Sequence, residues 1–137
     1  MVATSPRDSF SKRRRASLVF LYFAFALTGL ANGLLTGMSA ENLHPDLFIR
    51  VQLITACLLS LGSMWFCTAD ARLVGKPLIQ LAKLGIFLGW PVGVPIYLLW
   101  ARGIRGFAHL LVYGVSLILV AVVAFAVGAF AYFSPFH

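Results

Sequence analysis

Apolar residues fall into four long blocks along the chain, over about 16–37, 47–69, 78–100 and 107–133. At ~1.5 Å of rise per residue, a helix over any one block is long enough to cross a hydrocarbon core of ~30 Å. Between the blocks sit short breaks that hold most of the charge, with Pro45 closing one and Gly75-Lys76-Pro77 another. The pattern predicts an all-α integral-membrane helical bundle: a basic arm over 1–15, one transmembrane bundle of four helices over 16–133, and a tail over 134–137. The short breaks make neighbouring helices antiparallel. The first block follows a basic start, as in a signal peptide, but it is too long for an ordinary signal core and reads as a retained helix.

The third block is the least regular. It carries Gly85, Gly89 and Gly93, with Pro91 and Pro95 in its second half. Proline in a membrane helix is tolerated as a kink. The expectation is a full span kinked at Pro91 and Pro95, and the alternative is a segment that enters and returns on the same side. The two differ in charge placement. A full span puts Arg102 and Arg105 outside, against the tendency of short cytoplasmic segments to be basic. A re-entrant course keeps every Lys and Arg inside except Arg50. Glu41 and Asp46 are possible partners for Arg102 and Arg105 in the first case.

Composition agrees with lipid as the main solvent. The 137 residues are 61% hydrophobic and 11% charged, and the mean hydropathy is +0.92. A soluble domain carries about 25% charge, and a water-soluble monomer this small has too much surface to keep such a chain dry. Eleven Lys and Arg against four Asp and Glu give a formal charge of +7. The cations flank apolar blocks: Arg7 and Lys12, Arg13, Arg14, Arg15; then Arg72 and Lys76; then Arg102 and Arg105. That distribution suits lipid headgroups or an acidic partner and puts the N-terminus in the cytoplasm. It does not suit nucleic acid, because the aromatic residues that would stack on bases lie inside the apolar blocks.

Glycine spacing is the clearest local pattern. Gly29, Gly33 and Gly37 recur every four residues in the first block, and Gly85, Gly89 and Gly93 do so in the third. Each set offers a face for close helix approach, inside the bundle or against another protein. Thr28, Asn32 and Thr36 run beside the first set, and Asn32 in hydrocarbon needs a partner. Gln52, Thr55, Ser60 and Ser63 of the second block offer polar groups.

Isolated polar residues carry the remaining candidate chemistry. Lys83, with Gln80 one turn before it, either reaches back to the cytoplasmic surface or lines a pore. Asp70 is expected to be neutralised by Arg72, Lys76 or the N-terminal arginines. His109 makes an interfacial hydrogen bond or ligates a cofactor. Cys57 and Cys67 share one helix, ~15 Å apart along it, too far for a disulfide. No nucleophile–base set, metal spacing or phosphate loop is present, no cofactor is evident in the chain, and it reads as no enzyme.

Asp70-Ala71-Arg72, Gly75-Lys76-Pro77, Trp90-Pro91-Val92-x-x-Pro95-x-Tyr97-Leu98 and Arg102-Gly103-x-Arg105-Gly106 together resemble small, uncharacterised multi-pass membrane proteins of bacteria. The resemblance covers about a quarter of the chain and implies a bacterial inner-membrane location, with no functional residues. The expected function is that of a non-catalytic subunit or accessory protein packing laterally in a larger membrane complex, such as a respiratory or photosynthetic one. Its partners would be membrane lipids and other integral subunits, with no soluble substrate. A small oligomeric channel or transporter lined by Asn32, Gln80 and Lys83 is the alternative.

Overall fold

The computed structural model describes residues 6–38, 45–76 and 78–133. The expected connection with Glu41 and His44 and the tail over 134–137 lie outside the described residues, as does Pro77. Among the described residues five helices follow in order: α1 Pro6–Gly37, α2 Pro45–Val74, α3 Gln80–Leu88, α4 Trp90–Arg102 and α5 Ile104–Phe133. Three stretches, Asp8–Gly37, Pro45–Val74 and Ile104–Ala131, are long and apolar enough to cross a membrane.

The basic arm continues α1 as helix from Pro6 rather than standing apart from it. Proline suits the first helical position, where its missing N–H costs nothing, and Asp8 in the first turn opposes the helix dipole. The arm also packs: the Arg72 guanidinium of α2 lies 5.8 Å from the Phe10 ring centroid. At the far end of α2, Gly75 takes the left-handed conformation at φ 73°. The Lys76 N–H then donates to the Ala71 carbonyl at 2.9 Å, closing the exposed helix end.

Side-chain pairs fix the helix directions. Phe20 meets Trp65 at 6.0 Å between centroids, and Asn32 meets Gln52 by a 2.6 Å hydrogen bond, so α1 and α2 are antiparallel. Arg14 reaches Tyr113, and Tyr22 shares a 2.6 Å hydrogen bond with Ser116. Further along, Gly29 and Gly33 abut the backbone of Ala121 and Phe125. These contacts advance together along both helices, so α1 and α5 run parallel.

Parallel α1 and α5 require the chain to be back at its starting end before α5 begins. The third apolar block accomplishes this by folding double. Lys76, just before the block, has its Nζ 5.2 Å from the ring centroid of Trp100, near the block's end. Midway, Trp90 meets Phe25 of α1 edge-on at 5.8 Å and 88°. Phe25 lies eleven residues beyond Arg14 in α1, a rise of ~16 Å, or about half a hydrocarbon core.

The expected kinked span is not seen: the third block forms a helical hairpin, and three helices among the described residues, rather than four, are long and apolar enough to cross a membrane. The break falls at Gly89, before both prolines of the expected kink, Pro91 and Pro95. Gly89 ends α3 at φ −122°, ψ 43°, its N–H donating to the Gly85 carbonyl at 2.9 Å. Pro91 stands in the first turn of α4, where a proline starts a helix without losing a bond, and Pro95 stays within that helix. Gly93 lets the arms close: a methyl group there would stand 3.0 Å from the Ile86 Cα. Gly103, at φ 57°, then separates α4 from α5.

All described Lys and Arg except Arg50 lie toward the end of the bundle where α1 starts. The buried core beside that basic end joins Leu21, Phe66, Cys67, Ala71, Ile86, Tyr97, Leu98 and Ala101 from four helices.

Candidate functional site

Asp70, fully buried in the last turns of α2, is the centre of the most concentrated polar cluster among the described residues. The hairpin brings Arg102 to it from the end of α4. Arg102 Nε donates to Oδ2 at 3.1 Å and Nη2 donates to Oδ1 at 2.5 Å, a two-pronged grip matching the flat carboxylate. The Tyr97 hydroxyl, one and a half turns earlier, donates to Oδ2 at 3.1 Å. The Asp70 bond holds the Arg102 guanidinium pKa above its ordinary value.

Arg14 comes from α1. Its Nε lies 3.1 Å from Asp70 Oδ1 without the alignment of a hydrogen bond, so the contact is ionic. Its Nη2 donates to the Tyr113 hydroxyl at 3.3 Å, and its guanidinium stands 6.0 Å from the centroid of Phe66. Ser17, fully buried, donates its hydroxyl to the Arg14 carbonyl at 2.8 Å. One carboxylate thus ties together α1, α2, α4 and, through Tyr113, α5. Two arginines around one aspartate leave a net positive site, and the arginine side chains remain about one-fifth exposed, at 22% and 20%.

The expectation for Asp70 holds for the N-terminal arginines, through Arg14. Arg72 and Lys76 instead lie over aromatic rings, those of Phe10 and Trp100. The expected external partners for Arg102 and Arg105 do not apply to Arg102, which is at the other end of the bundle from Asp46. Lys12, Arg13 and Arg15 are exposed around the same end.

The first glycine set packs inside the bundle, with Gly29, Gly33 and Gly37 buried. Gly128 of α5, which the spacing does not reveal, supplies the matching notch against Leu30 and Leu34. Asn32 donates to the Thr28 carbonyl at 2.8 Å and accepts from Gln52 Nε2. Thr28 and Thr36 bond back to their own helix.

The expected pore residues are spread along the bundle. Asn32 is engaged far from the basic end, Gln80 is exposed, and Lys83 borders a shallow depression with Phe20, Leu61, Met64, Trp65 and Thr68. His109 Nδ1 donates to the Arg105 carbonyl at 2.7 Å, four residues back, and its ring stands 6.0 Å from Tyr113. No group of three or more His, Cys, Asp or Glu able to hold a metal occurs among the described residues. Cys57 and Cys67 are free thiols.

These features define an all-helical integral membrane protein whose described residues hold a buried ionic cluster at the basic end. No family model, curated protein or solved structure matches the chain.

Proposed function

We propose that the protein is a non-catalytic subunit or accessory protein that acts by packing laterally within a larger membrane complex. In this reading the basic end faces the cytoplasm of a bacterium, the N-terminus lies on that side, and the inner membrane is its location. A respiratory or photosynthetic complex is the first class in which to seek its partners.

The observation that carries the reading is that the interhelical polar side chains are mostly engaged with one another. Asp70 holds Arg14, Arg102 and Tyr97; Asn32 holds Gln52; Tyr22 holds Ser116. Groups locked in this way tie helices together and leave little to bind a soluble substrate. What remains on offer is lateral: exposed Val112, Val115, Leu119, Val122 and Phe130 along α5, and Val19 and Phe23 on α1. An apolar flank of this kind meets either lipid or another membrane helix. The concentration of cations at one end supports its cytoplasmic placement.

The test is gentle-detergent solubilisation of native membranes, followed by affinity purification and cross-linking through the α5 flank. The reading requires one or more integral membrane polypeptides at fixed stoichiometry. Recovery of a monodisperse single species, without cross-links to other membrane proteins, would remove it.

A further inference from the structure

The hairpin of α3 and α4 carries a groove of about 690 Å³ formed by its own residues, open along one side and almost wholly apolar. Gly85, Gly89 and Gly93 border it, together with Ile79, Ile96 and Trp100. At Gly85 an added methyl group would meet nothing within 4 Å, so the groove is open at that point. The volume falls in the range of small-ligand sites, ~300–1,000 Å³.

Two further observations say what fills it. First, the groove is bounded by the hairpin's ends and its turn. The turn lies beside Phe25, ~16 Å of helical rise from the Arg14 level. That is about half of a ~30 Å hydrocarbon core, the depth of one leaflet's acyl chains. Second, its outer mouth carries a cation: Lys76 Nζ stands 5.2 Å from the centroid of Trp100, which lines the groove. The surrounding end is rich in Lys and Arg, while its buried acid, Asp70, is already held by two arginines. An apolar channel one leaflet deep, with a positive charge at the headgroup level, matches an amphiphile with a negative head.

We infer that the hairpin groove binds one anionic glycerophospholipid, one of its two acyl chains between α3 and α4 and its phosphate at Lys76. The inference does not depend on the proposed role as a subunit. Juxtaposed Lys and lipid phosphate give headgroup selectivity, whereas the groove gives retention whatever the headgroup.

The two contributions separate experimentally. The full-length protein is reconstituted in equal phosphatidylglycerol and phosphatidylcholine, extracted gently and weighed by native mass spectrometry. Wild type should retain one lipid, with phosphatidylglycerol favoured about fivefold, the selectivity expected of one lysine at a membrane surface. Lys76→Gln should bring the ratio near one while retaining a lipid. Gly85→Leu should lose the lipid regardless of headgroup, with an unchanged melting temperature. Ala82→Leu, on the same groove, serves if Gly85→Leu does not fold. Equal retention of the two lipids by wild type overturns the inference. So does lipid retention that survives groove filling, or a dimer mass in place of the lipid adduct.

Discussion

Asp70 and Arg102 stand 32 positions apart in sequence and form a two-pronged ion pair, with contacts of 3.1 and 2.5 Å. Asp70 is in the last turns of α2 and Arg102 is the last residue of α4. The pair can form because the intervening apolar stretch turns back at Gly89. A helix crossing the bilayer over the same residues would place the two groups about a membrane thickness apart.

Removing the carboxylate tests what the cluster contributes. Asp70→Asn keeps the size but leaves the Arg14 and Arg102 guanidinium groups facing each other without a counter-charge. Breaking a buried pair by removing one partner costs about 3–5 kcal/mol. The lower half of that range is expected here, because both arginines retain some exposure. Thermal unfolding in detergent should show a clear drop in melting temperature. An unchanged transition would mean that the cluster contributes nothing to cohesion.

The α1–α5 seam predicts a contrast between glycines. Gly33→Ala drives a methyl group into the backbone of Phe125 and Ala129, while the same change at Gly114 meets nothing within 4 Å. The first should destabilise by about 1–3 kcal/mol, the usual range for overpacking. Gly114→Ala should be neutral or slightly stabilising, since alanine is the better helix former. Equilibrium unfolding of the two variants in the same detergent checks the difference; equal effects would contradict the seam.

Asn32 and Gln52 predict a thermodynamic cycle. Asn32→Leu leaves the Gln52 amide without its 2.6 Å acceptor and should cost about 1 kcal/mol. Gln52→Leu should cost a similar amount. The double variant should lose less than the sum, because no unpaired amide remains. Strict additivity of the unfolding free energies would show that the two side chains do not interact.

The three long apolar helices were legible from hydrophobic length, although the same measure marked a fourth, and the partner needed by Asn32 was legible from the cost of an amide in hydrocarbon. The inward packing of Gly29 and Gly33 followed from spacing, though Gly128 did not, because it stands alone in its helix. The hairpin was hidden by its own composition. Both of its arms are apolar, and together they match the length of one crossing. The charge pattern did point to the fold: Arg102 and Arg105 sit on the basic side only if the chain returns. Pro91 and Pro95 predict a kink, but Pro91 stands in the first turn of α4 and Pro95 is carried inside that helix. Gly89 makes the break. Spacing between α2 and α4 held no signal for the Asp70–Arg102 pair, because the register depends on where that break falls.

The return of the chain is tested most directly by site-specific thiol labelling in sealed vesicles of known orientation. With Cys57→Ser and Cys67→Ser as background, Lys12→Cys marks the basic end, Asp46→Cys marks the other, and Ile104→Cys, at a residue 92% exposed, reports the junction of α4 and α5. A membrane-impermeant maleimide should label positions 12 and 104 from the same side and position 46 from the opposite one. Labelling of position 104 together with position 46 would contradict the hairpin and, with it, the pairing of Asp70 with Arg102.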